Sequence, residues 1–186
     1  MKKDIRNIIL SEENYIRFEL DAEIRHELIN ETLIAMPGES PANNFIVGSF
    51  LILFRRLLKN SHYHVFVKSV KLKIPNEKKY FYPDIFITKE KFNPSKGYIM
   101  HDAELIVEVL SPGTRLFDTV DKFIEYKKIP SLKYYILAEP EKQYINCFSK
   151  NKKSQWESLI YTELQEKIEL KGIENISFPV QSVYQP

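Results

Sequence analysis

Apolar and polar residues alternate in two short stretches near the start of the chain, and this pattern predicts a pair of β-strands. The stretches "RHELI" and "TLIAM" flank Asn30 and Glu31. Asparagine tolerates the left-handed conformation of a tight turn, so we expect a β-hairpin there. The preceding "SEENYIRF" places Ser11 where it caps a short helix whose first turn is acidic.

A long helix with one buried face is predicted next. Ser40 suits the N-cap and Pro41 the first helical position, as in many helices of known structure. Apolar residues then recur at helical spacing, at Phe45, Val47, Phe50, Leu53, Phe54, Leu57 and Leu58.

The middle of the chain returns to strand patterns. "YHVFVKSVKLKIP" alternates from Val65 to Ile74, with its lysines expected to be partly exposed, and "YFYPDIFIT" predicts another strand. "AELIVEVLS" is more continuously apolar, which is typical of a central strand.

The second half of the chain predicts a βαβ unit followed by further strands. A helix from Arg115 to Lys127 connects "AELIVEVLS" to "LKYYILAEP", so these strands should be parallel neighbours with a right-handed crossover. "QYINCFSK" and "WESLIY" are predicted as strands. We expect a mixed α/β fold with a single central sheet, residues 1–186 forming one domain.

Composition narrows the class of protein. The 27 Lys and Arg residues nearly balance 25 Asp and Glu residues, so net charge offers no global case for nucleic-acid binding. Cys147 stands alone, the apolar run near the start is short for a signal peptide, and no stretch suits a membrane span. We expect a soluble, cytoplasmic protein that does not bind membranes.

Two acidic residues stand inside apolar strands, where an uncompensated charge is unfavourable. Asp84 lies in "YPDIFI" and Glu108 in "LIVEVL". Either one alone is explained by an edge strand that directs the acid to solvent. Two buried carboxylates together would repel each other, and a divalent cation such as Mg²⁺, which prefers oxygen ligands, removes that conflict.

Asp118, Lys122 and Tyr126 are spaced four apart in the helix that follows Glu108, so they share one helical face. A lysine beside the two acids can neutralise a phosphate, position a water molecule, or act as a base if desolvation lowers its pKa. The alternative is a solvent-facing stripe with an ordinary Asp–Lys pair.

At these residues the chain resembles the Uma-two family of restriction-endonuclease-like proteins, a branch of the PD-(D/E)XK nuclease superfamily. The resemblance is carried by "HELINETLIAMPGESP", "YPDIFI", "LIVEVLSPGT", the Asp118, Lys122, Tyr126 spacing and "IPSLKYYILAEP", and extends from Ser11 to Tyr184. It implies a restriction-endonuclease-like core, a central mixed β-sheet flanked by helices, with an N-terminal helix and hairpin. It also implies a Mg²⁺- or Mn²⁺-dependent endonuclease that acts on nucleic acid, DNA in our expectation, as a homodimer.

The resemblance also assigns roles to residues. It makes Asp84 and Glu108 the metal acids, the Val109 carbonyl a further metal ligand, and Glu27, Asp118 and Tyr126 supporting residues. The superfamily lysine would stand at Leu110, so the resemblance makes Lys122 its migrated equivalent and, with Asp84 and Glu108, a catalytic residue. This chain departs from the family pattern at three places. Asn43 stands where family members usually have a histidine, which leaves the role of that histidine open. Asn30-Glu31 stands in place of the usual Asp-Gly turn, and "SPGT" in place of the commoner "SPST".

Two questions stay open at the level of sequence. The candidate phosphate contacts are surface cations that are otherwise simply solvated: Lys68, Lys71, Lys73, Arg115, Lys127 and Lys128. The same fold also serves catalytically silent modules that bind nucleic acid or a partner, and a metal-free structural protein is a third possibility.

Overall fold

The computed structural model describes residues 10–36, 38–91, 99–113 and 115–186. Its helices are α1 (Glu12–Asp21), α2 (Pro41–Leu57), α3 (Phe123–Tyr126) and α4 (Gln181–Tyr184), with a π-helical segment, Phe117–Lys122, leading directly into α3. Its strands are β1 (His26–Ile29), β2 (Thr32–Ala35), β3 (His64–Val67), β4 (Lys71–Lys73), β5 (Lys79–Phe81), β6 (Ile85–Thr88), β7 (Ile99–Met100), β8 (Leu105–Val109), β9 (Tyr134–Ala138), β10 (Ile145–Lys150), β11 (Trp156–Tyr161), β12 (Lys167–Leu170) and β13 (Ile176–Pro179).

A mixed six-stranded sheet in the order β11-β10-β9-β8-β6-β3 lies at the centre. β8 and β9 pair in parallel, as the βαβ pattern predicted, and the other pairs in this sheet are antiparallel. Every residue of β8 and β9 is buried, because both faces of these strands are covered. Their continuously apolar sequence follows from that position.

The expectation of a single sheet is wrong. β2, β1, β5, β4 and β7 form a second sheet, and each of two stretches predicted as one strand is divided between the sheets. "YHVFVKSVKLKIP" breaks after β3, where Lys68 has a φ of 40°. "YFYPDIFIT" breaks between β5 and β6 at Pro83, which has no N–H to donate to a strand ladder.

The local signals near the start of the chain predicted the structure correctly. Asn30 and Glu31 have φ angles of 48° and 69°, as a tight turn between two strands requires, and β1 pairs with β2 in a hairpin. Ser11 and Ser40 cap α1 and α2, each accepting a hydrogen bond from the backbone N–H three residues later.

The six-stranded sheet is covered on both faces. On one face its side chains pack against α2, the β12–β13 hairpin and α4. On the other face they pack against the helix around Tyr126 and against side chains of the second sheet, such as Leu72 and Phe81. The β12–β13 hairpin and α4 were not predicted, because their apolar runs are too short to establish a period.

None of the described helices is both long and apolar enough to cross a membrane.

Candidate active site

Asp84 and Glu108 lie side by side at adjoining ends of β6 and β8. The antiparallel register pairs Ile85 with Val107, so the next pair along is Asp84 opposite Glu108. The Asp84 N–H donates to Glu108 Oε2 at 3.3 Å, and the Val109 N–H donates to Asp84 Oδ2 at 2.7 Å. The Glu108 carboxylate therefore holds the backbone of Asp84, and the Asp84 carboxylate holds the backbone of the residue after Glu108.

Neither acid is a solvent-facing residue on an edge strand. Glu108 is 2% exposed, and β8 is an interior strand of its sheet. The Asp84 side chain is 14% exposed, so it reaches the surface while Glu108 stays behind it. The edge-strand alternative is thereby excluded for Glu108, and the structure brings the two acids together as expected.

Lys122 lies among three carboxylates. Its Nζ is 3.0 Å from Glu27 Oε1, 3.2 Å from Glu108 Oε1 and 3.1 Å from Asp118 Oδ1. The hydroxyl of Tyr126 donates to Glu108 Oε1 at 2.9 Å. Lys122 is 5% exposed and Asp118 3%, so the helical face that carries Asp118, Lys122 and Tyr126 points inward. The alternative of a solvent-facing stripe is wrong.

The helix that carries this cluster is held against the sheet by aromatic side chains. The Tyr126 ring lies 5.4 Å from Phe81 and 5.6 Å from Tyr135, between the second sheet and β9. The Tyr135 hydroxyl donates to the Asp118 carbonyl at 2.6 Å. The turn that presents Asp118 and Lys122 is π-helical, a conformation often found at functional sites.

Burial and the excess of acidic groups shift the pKa values of the cluster. Burial raises the pKa of Glu108 well above its ordinary value; Lys122 opposes the rise, and the neighbouring acids add to it. Burial likewise raises the pKa of Glu27. For Lys122, burial lowers the pKa but the surrounding carboxylates outweigh it, so the pKa is raised. Lys122 therefore stays protonated near neutral pH, and its use as a general base, open from the sequence, is not supported.

The Val109 carbonyl is fixed by the side chain of Asn43. Asn43 Nδ2, at the start of α2, donates to the Val109 oxygen at 2.8 Å. Asn43 is 6% exposed, and its Oδ1 has no hydrogen-bond partner among the residues that the structure describes. A buried amide oxygen without a donor is uncommon and leaves one hard acceptor unsatisfied next to Val109.

The oxygens around Asp84 suit a hard divalent cation. Within the described ranges, no group of three or more His, Cys, Asp or Glu side chains is placed to hold a metal ion. The candidate set is instead two carboxylates, from Asp84 and Glu108, and the Val109 carbonyl. Mg²⁺ commonly takes one or two protein carboxylates and fills its remaining positions with water and phosphate oxygens. The raised pKa of Glu108 and the unsatisfied Asn43 Oδ1 both fit a nearby cation.

Among the predicted phosphate contacts, Lys68 lies at the site itself. Its Nζ is 3.1 Å from Asp84 Oδ1 and also contacts the carboxylate of Glu39, in the loop before α2. The expectation that Lys68, Lys71 and Lys73 share one strand is wrong, because Lys68 follows β3 and the other two lie on β4. Lys71 is 4% exposed, with its Nζ over the rings of Tyr15 and Tyr82. That burial leaves Lys71 little surface for a phosphate.

The remaining candidate cations lie outside the cluster and carry partners of their own. Arg115 donates two hydrogen bonds to the carboxylate of Glu139, the residue after β9. The other partners are Glu12 for Lys73, the Phe123 ring for Lys127, and Glu77 with Glu125 for Lys128. Their contact with nucleic acid stays a prediction.

Sequence reasoning missed two contacts of the site. Glu39 was not considered, because an acidic residue in a Pro- and Gly-containing loop carries no signal of its own. Asn43 was noted only as a departure from the family pattern, and its bond to Val109 spans 66 residues of chain. No local pattern could have identified either contact.

Comparison with known proteins shows which family the chain resembles. The Uma2 model, described as "Putative restriction endonuclease", matches residues 12–181. The uncharacterized protein slr1290 of Synechocystis sp. is 30% identical over 175 residues, covering 94% of this chain and 91% of its own length. The uncharacterized protein sll1609 of the same organism is 30% identical over 158 residues, covering 84% and 88%.

A solved structure shares the fold. The crystal structure titled as a putative nuclease belonging to DUF820, from Anabaena variabilis, matches with a TM-score of 0.77 at 12% identity, covering 94% of this chain and 97% of that one. The likeness confirms the expected fold of a mixed sheet with flanking helices. With the family model spanning most of its length, the chain belongs to the Uma2 family, whose description is "Putative restriction endonuclease".

Proposed function

We propose that this protein is a metal-dependent endonuclease that hydrolyses phosphodiester bonds of DNA. The observation that carries the proposal is the meeting of Asp84 and Glu108 on neighbouring strands, with Lys122 behind them, in a chain of this family. Mg²⁺ or Mn²⁺, held by the two carboxylates and the Val109 carbonyl, would supply Lewis-acid chemistry and a bound water of lowered pKa.

The side chains around Glu108 have separate roles in the proposed site. Lys122 and Tyr126 both bind Glu108 Oε1, so they orient that carboxylate and leave Oε2 directed towards Asp84. Lys122 acts as a positioning residue, because its carboxylate neighbours and burial keep it from the substrate. Glu27 Oε1 and Asp118 Oδ1, 3.0 and 3.1 Å from Lys122 Nζ, hold the ammonium group in place.

The reaction adds one water across one phosphodiester bond. The water oxygen forms a new bond to phosphorus, the bond from phosphorus to the leaving sugar oxygen breaks, and that oxygen takes up a proton. The products are a phosphate monoester end and a hydroxyl end. Cleavage of both strands of a duplex needs two sites, so we propose a homodimer, which sedimentation analysis would detect.

The first test is cleavage of supercoiled plasmid and of single-stranded DNA by purified protein with Mg²⁺ or Mn²⁺. Glu108→Gln should lower the rate by at least about a hundredfold, since the carboxylate is proposed to hold the ion. Glu104→Gln is a matched control: it alters a buried acid immediately before β8 whose partners are Tyr63 and Lys133.

A different result would favour the catalytically silent binding module. Absence of cleavage, with DNA binding that persists in EDTA and in Glu108→Gln, would contradict the proposed endonuclease. Equal loss of activity in Glu104→Gln would mean that Glu108→Gln acts through stability rather than through the site.

A further inference from the structure

The site contains a second lysine, placed differently from Lys122. Lys68 follows β3 in a left-handed conformation, with a φ of 40°, and its N–H donates to the Asp84 carbonyl at 3.2 Å. The backbone of Lys68 is thus tied to the backbone of Asp84. The short turn directs the side chain back to the Asp84 carboxylate, where Nζ lies 3.1 Å from Oδ1.

The two lysines differ in access to solvent. The Lys122 side chain is 7% exposed and surrounded by carboxylates, whereas the Lys68 side chain is 27% exposed. Asp84, at 14%, lies between them in exposure. Lys68 is therefore the cation on the outer side of the two acids, where a nucleic-acid phosphate would arrive.

Lys68 also pairs with Oδ1, the oxygen of Asp84 that the Val109 N–H does not bind. Asp84 Oδ2 accepts the Val109 N–H, so Oδ1 is the oxygen with a side-chain cation as its partner. A divalent ion at Oδ1 would stand a few ångströms from the ammonium group and repel it. Glu39, 28% exposed, offers that ammonium a second carboxylate beside the site.

We propose that Lys68 is a further active-site residue that alternates between two partners. Without metal its ammonium group holds Asp84 Oδ1; with metal bound it leaves Asp84, stays near Glu39 and binds a phosphate oxygen of the nucleic acid. A lysine suits this exchange because its compact charge lies on a flexible stem. The inference rests on the proposed metal-dependent nuclease activity and adds a residue to that site.

The first experiment is a Mn²⁺ titration followed by melting temperature, with Lys68→Met, Lys68→Arg and wild type. Lys68→Met keeps the length of the stem and removes the charge, so its apparent Mn²⁺ affinity should rise about tenfold. Lys68→Arg keeps the charge and should stay near the wild-type affinity. Lys78→Met is the control: Lys78 pairs with Glu31 at 2.6 Å and is 60% exposed.

The second experiment measures cleavage and DNA binding at saturating Mn²⁺. Lys68→Met should cut about a hundredfold more slowly although it binds metal more tightly, because the phosphate loses a charged partner. The slope of log affinity against log salt should fall by about 0.9, the value for one lost phosphate contact. Lys78→Met should leave the rate and slope unchanged.

The outcomes separate this inference from the proposed function. If wild type binds Mn²⁺ and cuts DNA, while Lys68→Met has unchanged affinity and rate, Lys68 has no such role and the nuclease assignment stands. If wild type binds Mn²⁺ without cutting, the affinity comparison alone decides about Lys68. If Mn²⁺ does not change the melting temperature of wild type, the metal site and the role of Lys68 both fail.

Discussion

Glu108 shows why an acid is tolerated inside an apolar strand. Both of its oxygens are hydrogen-bonded: Oε1 to Lys122 and Tyr126, Oε2 to the Asp84 N–H. These partners offset part of the desolvation cost of a buried carboxylate. Burial still raises the pKa of Glu108 well above its ordinary value, and the neighbouring acids add to the rise.

Stability without metal should therefore depend on pH through this group. Burial raises the folded-state pKa of Glu108 well above its ordinary value of 4.5, so above that pH the folded chain holds a proton that the unfolded chain releases. Unfolding free energy contributed by this group must fall as pH rises from about 4.5, by at most about 1.4 kcal/mol per pH unit.

The comparison of wild type with Glu108→Gln isolates that contribution. Urea unfolding across this pH range should show wild type losing stability relative to the variant as pH increases, because Gln does not titrate. Added Mg²⁺ should reduce the difference, since a cation favours the ionised carboxylate. Parallel curves for the two proteins would contradict the raised pKa.

At the scale of elements, the site depends on where strands and helices break. Pro83 ends the pairing of β5, so β6 begins in the six-stranded sheet, and Asp84 directly precedes its first residue. The π-helical turn before α3 interrupts a helix that the sequence predicts as regular. These irregular points, more than the regular elements, place Asp84, Asp118 and Lys122.

α1 is attached to the second sheet through a buried polar contact. Glu19 is fully buried; it accepts from the His26 N–H at 2.9 Å and from the Tyr82 hydroxyl at 3.0 Å. Glu19→Ala would leave these donors unpaired and should lower the free energy of unfolding by about 3 kcal/mol, measured by urea denaturation.

A surface acid of the same helix provides the comparison. Glu13 pairs with Arg17 at 2.6 Å, but both side chains are 74% exposed. Glu13→Ala should change stability by no more than about 0.5 kcal/mol. A similar cost for both substitutions would contradict a specific stabilising role for the contact of Glu19 with His26 and Tyr82.

At the scale of the whole molecule, the candidate site joins distant parts of the chain. Glu27 comes from the second sheet, Asp84 and Glu108 from the first, Lys122 from the helix between β8 and β9, and Asn43 from α2. A ligand bound there would hold several layers together, so its binding free energy adds to the stability of the fold.

Mg²⁺ should therefore raise the melting temperature of wild type. At a hundred times the dissociation constant the gain is about 2.7 kcal/mol, equivalent to several degrees for a chain of this size. The double variant Asp84→Asn, Glu108→Gln should show no such rise in a thermal scan, while Glu104→Gln should respond as wild type does. A rise that persists in the double variant would place the ion elsewhere.

Several features of the fold could be predicted because their physical causes are local. The turn at Asn30 and the cap at Ser40 depend on a few neighbouring residues. The parallel pairing of β8 and β9 follows from the helix between them. The division into two sheets was missed because alternation indicates a strand but not its partner.

The sequence alone determined the early hairpin, the long helix and the β8–β9 unit, together with the family pattern and the residue types of the candidate site. It marked Asp84, Glu108 and Lys122, because charge inside an apolar pattern is visible without coordinates. Only the tertiary structure decided that Lys122 faces inward, that Asn43 holds the Val109 carbonyl, and that Lys68 reaches Asp84. Such contacts join residues far apart in the chain, and their geometry depends on how the two sheets and the helices pack.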